Sequence, residues 1–447
     1  MLNFFSEISY SIHTNSLTLF VGAGFTKHFI KDAPSWEQLL IKSIDFIKDD
    51  ISNDLYTDLY DIDNDKLKIN TLQAAQILEF EYEKLDLIFK QKICDIIKED
   101  TEVDLNNEKT IVFDSFLKLF DKYNLNIITT NYDLIIFNKI LDSKCRMFQK
   151  DFPVNRMFSN RNIIHIHGNI LDYNNIVITQ EDYFKFQNED SYIKKKVFTL
   201  LTETTTVFLG YGLGDFNLNT ILNEIKIKKN KGLYMFDMFF VARNDVSNSL
   251  KAFYKKCYGI DVIDNCEVDD FALKTIIEFA KSEAIYNTAE NVKLVMEKNY
   301  TFSNSFLSKI EALQIILLQA SHYGVDKNDV NFKRLLKNVL EQKKSLTTNY
   351  NEWHHYEHFA NWLLVTCNLY NLQEIDYDMK TEILDHFSYS IGTSSEFFKT
   401  GYSYYAWHTL KDGLKNLNFN NFNVIREHII INSHKFNISN NILKLFS

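Results

Sequence analysis

Short apolar runs, each cut off by glycine, asparagine, aspartate or histidine, recur along the first part of the chain. Residues 17–22 (LTLFVG) are apolar and β-favouring and stop at Gly22-Ala23-Gly24. Similar runs stand at 124–130 (NLNIITT), 162–167 (NIIHIH), 176–179 (IVIT), 205–210 (TTVFLG), 234–242 (YMFDMFFVA) and 260–263 (IDVI). Short, nearly continuous apolar runs are the pattern of strands buried on both faces. A short helix over 3–14 leads into the first of them. Strands that alternate with helical segments at this spacing predict an α/β fold, a Rossmann-like doubly wound parallel sheet.

Two stretches depart from that rhythm. Ser35 and Gln38 have the spacing of a capping box, Pro34 gives a rigid entry, and Trp36, Leu40, Ile44 and Ile47 follow at helical period. The helical pattern continues to about residue 122, with an acidic loop at 58–65, too long for a single crossover. It predicts a helical insertion, about 36–122, lying over the site. From about residue 286 strand signals fade, and helical periodicities such as 306–319 and 353–372 take over. The chain therefore divides into a first domain, 1–285, and an all-α C-terminal domain, 286–447, assigned to oligomerisation or regulation.

Composition narrows the class. A chain of 447 residues exceeds one typical core. The charge is 49 − 59 = −10, so the electrostatic footprint of a nucleic-acid binder is missing and no direct nucleic-acid binding is expected. The five cysteines are scattered and form no CxxC pair, which fits a reducing, cytoplasmic setting better than a disulfide framework or a zinc ribbon. No basic leader and no run of apolar residues long enough to span a membrane is expected.

Chemistry gathers at the strand ends, where α/β sheets bind ligands. Gly22-Ala23-Gly24 removes side chains where a backbone approaches a ligand, and amides in such a turn suit phosphate; a plain turn is the competing reading. Thr130-Asn131-Tyr132-Asp133 ends the second run at the ligand edge; the competing reading is that Asn131 and Asp133 merely cap a helix expected over 134–141. His165 and His167 alternate and so face opposite ways; His167 is the chemical candidate because Gly168 leaves backbone space beside it. Gly210-Tyr211-Gly212-Leu213-Gly214-Asp215 closes the run at 205–210, with Asp215 either a helix cap or a ligand contact. His354 and His358 stand four apart, but lack the Glu-x-x pattern of a metallohydrolase and are read as an exposed helix face, with no metal assigned.

These four loops, in this order, resemble sirtuins. With Pro34-Ser35-Trp36 and Ile178-Thr179 through Asp182-Tyr183, residues 1–270 resemble the bacterial sirtuin-like (silent information regulator two-like) NADase effectors of antiphage defence. The resemblance implies NAD+ as substrate and cleavage of its nicotinamide–ribose bond, depleting NAD+ in abortive infection. It implies Asn131 and His167 as catalytic residues, with His167 the general base. Gly22, Ala23, Gly24, Thr26, Thr130, Asp133, Gly210, Gly212 and Asp215 would bind the dinucleotide. Deacylases of this family carry a four-cysteine zinc module after the catalytic histidine, whereas no cysteine falls between His167 and Thr206 here, so no zinc is expected and water is the expected acceptor. The alternatives are an NAD-dependent protein deacylase and a sensor that binds NAD+ or ADP-ribose without turnover. Relatives of this kind also imply a homo-oligomer, a phage trigger and a partner such as a ring ATPase or an Argonaute-type protein.

Overall fold

A computed structural model of the protein describes residues 4–30, 33–101, 108–123, 125–136, 146–148, 162–188, 192–212, 216–228, 237–289, 292, 295–296, 301–349, 351–394 and 402–443. Helix α1 (Phe4–His13) leads into β1 (Leu17–Val21), and α2 (Ala23–Phe29) begins one residue beyond the strand. The next segment holds α3 (Trp36–Phe46), α4 (Asn53–Leu59), a ribbon of β2 (Tyr60–Asp61) and β3 (Lys66–Leu67), α5 (Thr71–Lys84), α6 (Phe89–Thr101) and α7 (Glu108–Tyr123). Then come β4 (Asn126–Thr129), β5 (Arg146–Phe148), β6 (Asn162–His165), α8 (Gln180–Asn188), α9 (Tyr192–Glu203) and β7 (Thr205–Leu209). The alternation ends with α10 (Phe216–Lys228), β8 (Met238–Val241), α11 (Asn248–Tyr258), β9 (Ile260–Ile263) and α12 (Val268–Ala289).

Seven strands form one sheet in the order β5-β6-β4-β1-β7-β8-β9, and every neighbouring pair is parallel. The sheet is the doubly wound, Rossmann-like one that the runs predict. All five residues of β1 and of β7 are buried. Alternate residues feed two cores: Leu17, Leu19 and Val21 join Ile127, Val207 and Leu209 on one face, while Phe20 joins Ile128, Ile164 and Phe208 on the other. Because both faces are covered, the strands read as unbroken apolar runs. The chain leaves β1 in one direction for β4 and in the other for β7, so the carboxyl end of β1 is the point where the strand order switches, the usual place of a ligand crevice.

The segment after α2 is helical as expected, and Ser35 caps α3 with a capping box: the Gln38 amide donates to Ser35 Oγ at 3.3 Å and the Ser35 amide to Gln38 Oε1 at 2.8 Å. The first helices share their own core, built from Leu40, Ile44, Leu78, Ile93 and Ile97. Helix α7 is different: Phe113, Phe116 and Leu117 pack into the sheet's core. The acidic stretch at 58–65 is not a simple loop but holds β2 and the turn that pairs it with β3. Nor is 176–179 a strand. Ile176 and Ile178 point into the core of the inserted helices, while the Val177 amide donates to the His167 carbonyl at 2.9 Å and the Ile178 and Thr179 amides donate to Asp182.

The chain forms two compact units, one reaching to Lys281 and the other running from Ser282 onward. In the second, described strands are absent. Its helices after α12 are α13 (Asn304–Leu307), α14 (Ala312–His322), α15 (Val330–Leu346), α16 (His355–Leu369), α17 (Tyr377–Gly392), α18 (Tyr402–Lys415), α19 (Phe419–Ile431) and α20 (Asn440–Leu443). The run at 306–319 is broken: α13 stops at Leu307 and α14 starts at Ala312.

Candidate active site

The turns after β1 and β7 are packed backbone to backbone. The Gly22 amide donates to the Leu209 carbonyl at 3.3 Å, and the Gly24 amide donates to the Gly210 carbonyl at 2.8 Å. Gly210 has φ +61, and a Cβ there would stand 2.1 Å from the Phe25 nitrogen; a Cβ on Gly24 would stand 2.8 Å from the Gly210 oxygen. Only glycine fits a left-handed residue pressed against another backbone. The amides of Gly22 and Gly24 are thus engaged inside the protein, which differs from the expectation that they face a pyrophosphate. What these glycines supply is close approach of two loops, and Ala23 is the member of the triplet that lines a cavity.

That cavity has a volume of about 380 Å³, within the range of small-molecule and cofactor sites. Ala23, Thr26, Thr130, Asn131, Asp133, His167 and Gly212 line it, so loops following β1, β4, β6 and β7 meet there. Gly22, Gly24 and Gly210 form the packed turn behind it. Asp215 lies outside the described residues.

One hydrogen-bonded chain ties the first two loops together. Asn131 Nδ2 donates to the Gly22 carbonyl at 3.0 Å and to Thr26 Oγ1 at 2.9 Å. Thr26 Oγ1 donates to Asp133 Oδ2 at 2.7 Å, and Asp133 Oδ1 accepts the Ile135 amide at 3.1 Å. A carbonyl can only accept, so the amide nitrogen of Asn131 faces Gly22 and its Oδ1 takes the other direction, with no hydrogen bond among the described residues. Asp133 caps the turn at Ile135, as its alternative reading has it, and also holds Thr26. Its burial raises the carboxyl pKa, the largest effect, against lowering by the Thr26 hydroxyl and the Ile135 amide. Thr26 and Asp133 therefore position Asn131.

The two histidines separate as the alternation predicts. His165, in β6, is 2% exposed and its Nδ1 sits 2.9 Å from the Asn131 carbonyl oxygen, which makes Nδ1 the protonated nitrogen. Burial pushes its pKa down to about 4. It is a neutral brace for the Asn131 backbone. His167 lies past the strand end, 3% exposed, and lines the cavity with its ring 5.5 Å from that of Tyr183. Gly168 contributes differently from its expected role: its φ is +78, and the Asn175 carbonyl fills the space a Cβ would take, at 2.6 Å.

Of the rest of the wall, the sequence marks Trp36 and Tyr183 only through the resemblance and gives the others no role. Trp36 and Leu39 reach it from α3, Ile97 and Thr101 from α6, Tyr183 from α8, and Tyr132 and Tyr211 from the loops. Trp36 and Tyr183 stack with ring centroids 5.9 Å apart at 14°. Trp36 Nε1 is buried and has no hydrogen-bond partner among the described residues. Tyr183 is held in place through Asp182, whose carboxylate accepts the Ile178 and Thr179 amides and pairs with Lys90 at 2.7 Å.

Residues 125–263 match the family of SIR2-like domains, a span that contains β4 through β9 with Asn131 and His167. The chain is similar to defense-associated sirtuin 2 of Bacillus subtilis, 26% identical over 283 residues, 59% of this chain and 24% of that protein. It is also similar to the NAD(+) hydrolase ThsA of Enterococcus faecium, 25% identical over 249 residues, 49% of this chain and 51% of that protein. The chain thus spans a quarter to a half of the length of these curated relatives. The sirtuin-like resemblance carried by the four loops is borne out.

Proposed function

We propose that the cavity binds NAD+ and that the chain hydrolyses its nicotinamide–ribose bond, releasing nicotinamide and ADP-ribose, as the effector of an antiphage response. The observation that carries the reading is the convergence of Asn131 and His167 on the wall of one cavity at the strand-order switch. The two relatives, a defence-associated sirtuin and an NAD+ hydrolase, support the reaction class and the setting.

The chemistry follows from the groups present. As the C1′–N bond of NAD+ breaks, its electron pair passes to nicotinamide and the ribose becomes an oxocarbenium. Asn131 Oδ1, the oriented end of the amide, accepts a hydrogen bond from the ribose or from the attacking water. His167 takes the water's proton, and the ribose receives the hydroxyl. Reactants and products balance as NAD+ and water giving nicotinamide, ADP-ribose and a proton. A positioned general base contributes about 10²–10⁴ in rate. The apolar and aromatic wall from α3 and α6 excludes bulk water from the oxocarbenium. Ala23, Thr130 and Gly212 border the diphosphate and adenosine, backed by the packed turn at Gly22, Gly24 and Gly210.

Chromatography of the purified protein with NAD+ alone tests this. Release of nicotinamide and ADP-ribose is expected, with His167→Ala and Asn131→Ala each losing about 10²–10⁴ of the turnover and keeping ligand binding. Release that requires an acetylated peptide makes the chain a deacylase. Binding without turnover in the wild type under every condition makes it a sensor.

A further inference from the structure

The helical unit holds a second concentration of chemistry that the first cavity does not use. His354, His355 and His358 stand at the start of α16, and each offers a ring nitrogen within 4.8 Å of the others'. Their ring centroids are 4.1, 5.0 and 5.8 Å apart. The sequence suggests an exposed helix face, but His355 is 0% exposed. Its Nε2 is buried without a hydrogen bond, and the nearest carboxylate oxygen, Glu352 Oε2, lies 3.4 Å away. A buried imidazole nitrogen left without a partner needs an explanation, because such a group costs about 1–3 kcal/mol.

We propose that His354, His355 and His358, with the Glu352 carboxylate as the fourth ligand, form a binding site for a divalent transition-metal ion, zinc being the best match. Three imidazoles and a carboxylate are a donor set that suits zinc, and four protein ligands close a tetrahedral site of the structural kind. Metal–nitrogen bonds of about 2.0–2.1 Å need ligand atoms about 3.4 Å apart. The side chains of His354 and His358 are only partly buried and can rotate to close the remaining gap.

The surroundings provide the outer contacts that orient ligating histidines. His358 Nδ1 lies 3.1 Å from the Ser308 carbonyl, and its protonated form donates there, leaving Nε2 for the ion. His355 Nδ1 lies 3.3 Å from Lys343 Nζ, which itself donates to the Leu307 carbonyl at 2.7 Å. With Nδ1 turned toward Lys343, the buried Nε2 is the His355 atom left for the ion. Glu352 is fixed by Asn349, whose Nδ2 donates to Oε2 at 2.8 Å. The ion would staple the turn before α16 to the first turn of that helix.

The test uses the untagged full-length chain, stripped with a chelator and then given Zn2+. One zinc per chain after gel filtration is expected, together with a raised melting temperature. His354→Ala with His358→Ala should cost more than the roughly 10–100-fold in affinity typical of losing an outer-shell partner. Glu352→Gln should weaken binding while keeping the fold. Two readouts need no variant: Co2+ in place of zinc should give an intense tetrahedral spectrum, and zinc should shield His354 and His358 from diethyl pyrocarbonate. No stoichiometric zinc in the wild type, equal loading of a folded double variant, a weak octahedral cobalt spectrum, or unchanged labelling would each overturn the site. Nicotinamide release is not among these readouts, so the NAD+ reading stands or falls separately.

Discussion

Trp36 shows how much of the site depends on single atoms. Its ring stacks on Tyr183 while Nε1 is buried with no partner. An unpaired buried donor costs about 1–3 kcal/mol, and a ligand acceptor in the cavity would recover a net hydrogen bond of about 0.5–1.5 kcal/mol. Trp36→Phe keeps the stack and removes the donor. The ligand-free protein should then melt at the same or a higher temperature, while KM for NAD+ rises by about 2–10-fold; an unchanged KM would detach this donor from the ligand. The glycines give a second contrast. Gly210→Ala places a Cβ 2.1 Å from the Phe25 nitrogen at φ +61, whereas a Cβ on Gly212 meets nothing within 4 Å. Chemical denaturation should show Gly210→Ala destabilising by more than about 2 kcal/mol and Gly212→Ala staying within about 0.5 kcal/mol. From sequence alone the two glycines are indistinguishable, because the difference lies in another loop's backbone.

At the level of elements, what could be read was whatever a local pattern encodes. β1 and β7 are legible because burial on both faces forces continuous apolar residues, and α3 is legible because its capping box is local. The Asn131 and His167 loops are legible because polar residues break those runs at the ligand edge. Residues 176–179 carry a strand pattern for another reason: Ile176 and Ile178 anchor the segment to the inserted helices, and its amides bond to His167 and Asp182 rather than to a strand. Trp36 and Tyr183 are marked in the sequence only through the resemblance, and Ile97 not at all, since nothing local records which side chains of the insertion and of α8 meet the cavity. Asp182 joins these pieces. Burial would raise its pKa, but the Lys90 hydrogen bond and the Ile178 and Thr179 amides outweigh it and hold the carboxyl below the usual range. A carboxyl depressed in the folded state contributes stability above its unfolded pKa and loses it as pH falls through the folded value. Asp182→Asn should therefore lower unfolding free energy by a gap that is constant from about pH 7 to 5 and narrows below about 4. Activity should fall as well, because Tyr183 rides on this segment.

Across the whole chain the same logic sets its response to acid. Each unit contains an imidazole held neutral by burial: His165 in the sheet unit at about 4, braced on Asn131, and His386 in the helical unit, also at about 4 and 3% exposed. In the unfolded chain both titrate near 6.5, so between about pH 6.5 and 4 the unfolded state binds more protons. Unfolding is then favoured by falling pH, by about 1.4 kcal/mol per pH unit for each such proton. The stability these groups contribute is complete above about 6.5 and drains through that window, well before Asp182 begins to titrate. Hydrogen exchange followed across the chain at pH 7, 6 and 5 checks the point, after correction for the intrinsic pH dependence of exchange. Protection should fall in β4 and β6 around His165 and in α17 around His386. His386→Phe should reduce the dependence in α17, leave that in β6 unchanged, and leave in the helical unit the part owed to His355 and His358, which burial also lowers to about 4. An acid response in α17 unaffected by that substitution would mean that His386 does not govern it, and would leave His355, His358 and the carboxylates as its source.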